Sequence, residues 1–233
     1  MKKRIFFTAL AAIVGYLGSF FLCGAALSVG AQEAASLPNL KVVVDAGHGG
    51  MDGGVVGKTT GRKESDLNLA IAYKIKEKLT DAGFETVMTR KTEGGLYDAP
   101  TKGFKTRDMQ KRKEIVEKAA PTLVLSIHQN YYPSSRQRGG QTFYLKGNDG
   151  GQVLAENIQA GLNALYGEQS VKPRKSVAAD FFMLRFSMPS VIVECGFLSS
   201  PKDEALLLDA VFEEKLAAAV VSGTVKYLQG LSV

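Results

Sequence analysis

The chain has 233 residues, 45% hydrophobic and 22% charged, with a formal net charge of +6 and two cysteines. With no low-complexity tract and no internal repeat, that size and balance describe a globular protein with one full core. No basic stripe is interleaved with aromatics, so a nucleic-acid binder is excluded, and the two cysteines cannot build a disulfide framework.

The N-terminus reads Met1-Lys2-Lys3-Arg4 followed by an uncharged stretch from Ile5 to Ala31. A basic start before an apolar core is an export signal, and the stretch is long enough to stay in a membrane. Residues 1–31 are therefore expected to be a signal peptide or an N-terminal membrane anchor, with residues 32–40 as linker and 41–233 as the working domain outside the cytoplasm. Cleavage would remove three cations, lowering the charge from +6 to +3. A mildly basic exported domain suits a negatively charged envelope polymer. Cys23 lies in the export segment. Cys195 sits alone in an apolar strand and reads as a small core residue.

Lys41 to Asp45 predicts a buried strand. Ser65 is placed to cap a helix whose apolar face is Leu67, Ile71, Ile75 and Leu79, stopped at Gly83. Glu85 to Thr89 predicts a second strand, which makes a right-handed parallel unit. Lys91 to Thr106 reads as a long loop, a lid or a partner surface, since loops of this length rarely lack a role. Then follow a helix over 107–120, a strand over 122–127, a short strand over 140–146, a helix over 152–165, a strand over 190–195 and a closing helix over 211–228. The alternation predicts an α/β three-layer sandwich, a mostly parallel twisted sheet of about six strands flanked by helices.

The only histidines are His48 and His128. Each follows a β-branched run, at what reads as a strand's C-terminal end, where open α/β sheets bind ligands. Two imidazoles are half of a zinc site with one position open for water. A third ligand would have to be a carboxylate, and Glu64, 16 residues after His48, is the leading candidate. The other reading of Glu64 is an exposed helix-start acid favoured by the helix dipole. Glu194 ends the apolar run Val191-Ile192-Val193. Burying an unpaired carboxylate is expensive, so such an acid is either well satisfied or used in proton transfer. Asp45 and Asp52 either orient ligands by hydrogen bonds or are turn residues. The glycine run around His48 lets substrate approach closely, but it matches no phosphate-cradling pattern.

Asp45-Ala46-Gly47-His48-Gly49-Gly50-x-Asp52-x-Gly54, Glu64, Ser126-Ile127-His128-x-Asn130 and Val193-Glu194-x-Gly196-Phe197-Leu198-Ser199 together resemble the zinc-dependent N-acetylmuramoyl-L-alanine amidases of the amidase-3 family. The resemblance runs from about Lys41 to Leu228. It implies one Zn²⁺ held by His48, Glu64 and His128, and catalysis by Glu194. It also implies cleavage of peptidoglycan between the lactyl group of N-acetylmuramic acid and L-alanine. The segment Thr101 to Arg107 and the single catalytic domain are similar to the germination-specific amidases of spore formers, which implies cortex processing toward muramic δ-lactam. Cys195 and Ala46 depart from the usual pattern without removing a ligand. Asp45, Asp52, Asn130 and Arg185 are expected around the ligands or the substrate. Arg136, Arg138 and Arg185 could each pair with a stem-peptide carboxylate; Arg136 and Arg138 read equally well as solvated surface arginines, and Arg185, between apolar residues leading into the Glu194 strand, is favoured.

Three rival readings remain at this point. One is a non-catalytic wall-binding module, which the full set of His48, Glu64, His128 and Glu194 argues against. Another is a zinc carboxypeptidase or deacetylase on the same polymer, for which no His-Glu-x-x-His helix is present. The third is an amidase that is inactive without an activating protein partner.

Overall fold

The computed structural model describes residues 40–231. The expected export segment and nearly all of the linker lie outside the described residues. Among those described, no helix is long and apolar enough to cross a membrane.

Six strands form one sheet: β1 (Lys41–Ala46), β2 (Glu85–Met88), β3 (Leu123–Asn130), β4 (Gln141–Tyr144), β5 (Val177–Ala178) and β6 (Ser190–Phe197), in the order β2-β1-β3-β6-β4-β5. The β2-β1-β3-β6 core is parallel, and β4 joins β6 antiparallel. Five helices cover it: α1 (Glu64–Asp81), α2 (Phe104–Ala119), α3 (Asp149–Gly167), α4 (Pro201–Leu207) and α5 (Ala210–Gln229). The three-layer expectation is thus borne out.

Period-two alternation decides which side chains face which layer. Val42, Val44, Leu123, Leu125, Ile127, Val191, Val193 and Cys195 are buried in one large core with Ile71, Ile75, Leu79, Leu154, Leu162 and Val220 of α1, α3 and α5. Each such aliphatic side chain contributes on the order of 2 kcal/mol by leaving water. The alternate positions Val43 and Val124 pack instead with Val116 of α2, Met183 and Phe186. Continuing that second face toward the strand ends gives Asp45, Ser126, His128, Ile192 and Glu194. The candidate chemistry therefore occupies the thinner face, at the C-terminal edge.

Several boundaries differ from expectation for local reasons. Ser65 does not cap α1; its hydroxyl reaches only Asp66, at 3.4 Å. The helix starts at Glu64, two residues earlier than a Ser65 cap would set it, because the preceding loop supplies the acceptors: Glu64 N–H donates to Val55 O and Ser65 N–H to Gly53 O. Such backbone partners satisfy free helix-start donors without a side-chain cap. Helix α2 begins at Phe104, three residues before the expected start, after Gly103 in a left-handed conformation. Strand β3 runs on to Asn130, so His128 lies within the strand instead of beyond it. Sequence reading missed β5, a 3₁₀ turn at Phe182–Leu184, and α4, although Ser200 before Pro201 is an ordinary helix-start signal and Ser200 does cap Asp203 N–H.

The long loop after β2 is pinned across the glycine turn that carries His48. Gly50 N–H donates to Glu93 O at 2.7 Å, and Met51 N–H donates to the Tyr97 hydroxyl.

Candidate metal and catalytic site

His48 lies two residues beyond β1, in a left-handed conformation with φ 60°. That backbone is uncommon for a residue with a β-carbon. Two buried arginines hold the turn by its carbonyls. Arg90 donates to Ala46 O at 2.8 Å and Gly47 O at 3.1 Å. Arg112 donates to Ala46 O at 2.7 Å and also to His48 O. Arg112 is anchored in turn by Asp45 and Asp108, each at 2.6 Å. The Asp45 carboxylate further accepts the Thr89 and Ser126 hydroxyls at 2.6 Å. Although burial opposes its charge, Arg112 and these hydroxyls hold its pKa down to about 2. Asp45, expected near the ligands, therefore acts on the turn through Arg112.

Glu64 is buried, not exposed. As the first residue of α1 it turns back over the sheet edge, and its Oε1 lies 2.9 Å from His128 Nδ1 and 3.2 Å from His48 Nε2. The two imidazoles meet edge to face with centroids 5.0 Å apart. One donor atom from each of His48, Glu64 and His128 falls within 4.8 Å of the others, a group able to hold a metal ion. Two imidazole nitrogens and a carboxylate oxygen are a donor set that suits zinc and leaves coordination positions for water.

Hydrogen bonds orient each ligand. Asp52 Oδ2 is 2.9 Å from His48 Nδ1, and Lys105 reaches Asp52 at 2.8 Å. Glu64 Oε1 also accepts Gln129 N–H at 3.1 Å and Asn68 Nδ2 at 3.3 Å, and Oε2 accepts Val55 N–H at 2.9 Å. Asn68 is bonded in turn to Gln129 at 3.2 Å. Burial disfavours a charged His48, but Glu64 and Asp52 outweigh it and raise its pKa to about 9. Burial likewise opposes the Glu64 carboxylate, yet the two histidines hold its pKa well below the usual carboxylate range. His48 and Glu64 thus stabilise each other's charge at a point where a divalent cation would take the proton's place.

Glycines are needed here for space. A β-carbon on Gly47 would stand 2.3 Å from His128 Nε2, and one on Gly54 would stand 2.4 Å from Glu64 Oε2.

Glu194 lies beside His128, its register partner across β3 and β6. Its Oε2 is buried and has no hydrogen-bond partner among the described residues. Burial, with a smaller contribution from Glu64, raises the Glu194 pKa to about 7 against the pull of the histidines. An orphaned carboxylate oxygen next to three metal-binding groups is what a proton-transfer role requires.

A cavity of about 310 Å³ opens onto His48 and His128, with Met109, Phe181, Phe182 and Met183 as its apolar wall. Asn130 ends β3 half-buried, its carbonyl accepting Leu198 N–H at 2.9 Å. Arg185 is exposed, paired with Asp180 at 2.7 Å, and does not line the cavity. Arg138 is tied to buried Asp203 at 2.8 Å, while Arg136 is exposed. Cys195 is buried in the core, as expected. Asn68, Arg90, Asp108, Arg112 and Gln129 were not foreseen, although the i,i+4 spacings of Glu64 with Asn68 and Asp108 with Arg112 do put each pair on one helix face.

The sequence model of the family described as N-acetylmuramoyl-L-alanine amidase matches residues 42–226. The germination-specific N-acetylmuramoyl-L-alanine amidase of Bacillus subtilis is 30% identical over 189 residues, covering 80% of this chain and 78% of that protein. The CwlD amidase of Clostridioides difficile, solved in complex with the GerS lipoprotein, superposes with a TM-score of 0.78 at 34% identity, over 82% of this chain and all of that one. The catalytic domain of CwlV, an N-acetylmuramoyl-L-alanine amidase from Bacillus (Paenibacillus) polymyxa, gives a TM-score of 0.71 at 29% identity, over 82% and 98%. With that match running from β1 into α5 and taking in every ligand candidate, the chain belongs to the N-acetylmuramoyl-L-alanine amidase family.

Proposed function

We propose that His48, Glu64 and His128 hold one Zn²⁺ and that Glu194 is the proton-transfer group of a peptidoglycan amidase. Amide hydrolysis in peptidoglycan is the activity of the family, and the reading of the individual residues rests on the orphaned Oε2 of Glu194 beside the three convergent donor groups. Zinc, when bound, lowers the pKa of a water and polarises a carbonyl. The remaining work falls to the protein. Glu64 is locked by two backbone N–H groups and Asn68, so it presents Oε1 to both imidazoles without rotating. Asp52 holds the other nitrogen of His48. Glu194, poised near neutrality, takes the proton of the attacking water at Oε2 and returns it to the departing L-alanine nitrogen. The apolar wall of Phe182 and Met183 excludes competing water.

The substrate in this reading is spore-cortex peptidoglycan, with peptide removal preceding muramic δ-lactam formation. The printed names of the Bacillus relative and the CwlD neighbour support it. An exported location follows, anchored through residues 1–31 if they are retained. The GerS complex of the CwlD neighbour supports a protein partner here too.

The test is direct. The purified protein is assayed for bound zinc, then incubated with cortex and vegetative peptidoglycan, and the digests are read by mass spectrometry for stem peptides with free L-alanine amines. One zinc with such peptides from cortex is expected. Released D-alanine or acetate would instead mark a carboxypeptidase or deacetylase, and zinc without products until a partner is added would mark an activator-dependent amidase.

A further inference from the structure

A second cavity, of about 460 Å³, is lined by Arg136, Arg138, Lys172 and Arg174 among others and by no acidic residue. The buried Asp203 pairs directly with Arg138, at 2.8 Å, and acts on Arg174 only through space. Arg174 is different. It is half-buried with its guanidinium 4.6 Å above the Phe197 ring. It is held by neutral acceptors: Arg138 O at 2.8 Å, Gln141 Oε1 at 3.1 Å and Gln137 Oε1 at 2.6 Å. Among the described residues no carboxylate pairs with it. Buried arginines elsewhere in the fold are paired with carboxylates or saturated by several backbone carbonyls. A cation oriented this well, facing a groove of further cations, presents the standing requirement for an anion.

The groove also has a fixed place relative to the chemistry. Gln141, which Arg174 grips, is the register partner of Glu194 across β4 and β6. A pair spacing of about 5 Å plus the Gln141 side chain sets Arg174 on the order of 10 Å from the Glu194 backbone. An extended peptide covers about 3.5 Å per residue, so two to three residues bridge that span.

We propose that the Arg174 groove binds a carboxylate on the second or third residue of the departing stem peptide, and so selects acidic peptides over amidated ones. This rests on the amidase reading above, and it transfers to Arg174 the role that the sequence offered to Arg136, Arg138 or Arg185. Lys172 and Arg136, both exposed, extend the positive field toward the rim and draw the peptide in.

The experiment uses full-length zinc-loaded protein and muramyl peptides that differ only in whether one side-chain or α-carboxylate at residue two or three is free or carboxamide. The wild-type protein is expected to show kcat/KM about tenfold lower on one of the amidated forms, the scale of a charge-assisted hydrogen bond. Arg174→Gln should lose about that much on the free acid and no longer distinguish the two. Arg174→Gln removes buried hydrogen bonds, so the exposed pair Lys172→Gln with Arg136→Gln serves as a second probe that leaves those bonds in place. It should reduce the discrimination and flatten its dependence on salt. Equal turnover of acid and amide forms by the wild type would overturn the inference while leaving the amidase reading intact. So would an Arg174→Gln protein slowed equally on both, with discrimination unchanged. A zinc-loaded wild type that cleaves neither form overturns both.

Discussion

Two clusters of buried charge flank the turn after β1, and they are built on opposite principles. In the first, Arg112 pairs with Asp45 and Asp108, Asp45 accepts the Thr89 and Ser126 hydroxyls, and Arg90 and Arg112 donate to the Ala46, Gly47 and His48 carbonyls. In the second, Glu64 is saturated but Glu194 Oε2 is left with no partner. A buried polar group without a partner costs on the order of 1 to 3 kcal/mol. Among the described residues two buried side-chain oxygens are left this way, Glu194 Oε2 and the Oε1 of Gln129, whose amide bonds Asn68 beside Glu64, while every carboxylate of the first cluster is satisfied. Saturation fixes position here, in the clamp and in Glu64 alike, and the one buried carboxylate left short marks chemistry.

The strongest way to break that comparison is to neutralise Glu194. Glu194→Gln keeps the shape but removes the base, and turnover of peptidoglycan should fall by about 10³-fold, within the usual range for general acid–base groups. Zinc stoichiometry and the thermal midpoint should hold or rise slightly. A variant that loses zinc would show Glu194 to be a ligand and would reverse the division between the clusters.

The scaffold should fail in the other currency. Arg112→Met strands Asp45 and Asp108 in the interior, and breaking a buried pair from one side costs about 3 kcal/mol or more. Urea denaturation should show that loss. Whatever folded fraction remains should bind zinc weakly, because the His48 carbonyl loses its donor.

Acid sharpens the same contrast. The pKa of Asp45 is depressed in the folded state, from an ordinary value of 3.8 to about 2. Its contribution is therefore complete above about pH 4 and is lost as the pH falls toward 2. That amounts to ~2 kcal/mol at 1.36 kcal/mol per unit. Equilibrium unfolding measured between pH 4 and pH 2 should decline by at least this amount, since Glu64 is depressed as well, and Asp45→Asn should remove the Asp45 share of that decline. An equally steep decline in the variant would move the acid sensitivity elsewhere.

How much of this was readable beforehand follows from the range of each interaction. His48, His128 and Glu194 each sit at the end of an apolar run, so strand direction alone carries them to one sheet edge. Glu64 needed more: position by itself left it an ordinary helix-start acid, and only the loop acceptors Val55 O and Gly53 O turn it inward. The arginine clamp was illegible because Arg90 and Arg112 lie 44 and 66 residues from the Ala46 carbonyl they share, with no local pattern to announce the pairing. Ser65 failed as a cap for the same reason, since distant backbone outcompeted a local hydroxyl. Arg185 was favoured by its place before the active-site strand, but five residues back Asp180 captures it.

The smallest effect is expected one residue along from the largest. Cys195 follows Glu194 on β6, so the pleat turns it to the opposite face, into the core with Val193 and Leu162. Burial pushes its thiol pKa well up against a weaker pull from the Gln129 side chain, and its Sγ lies 3.8 Å from the Val193 carbonyl. Cys195→Ala should cost about 1 kcal/mol through lost packing and leave turnover unchanged, and the native thiol should resist alkylation until the protein unfolds. If the alanine variant instead lost activity, the two faces of β6 would be coupled. The backbone would then transmit core packing to the Glu194 carboxylate, and the separation of scaffold from chemistry that the charge clusters suggest would not extend to the sheet itself.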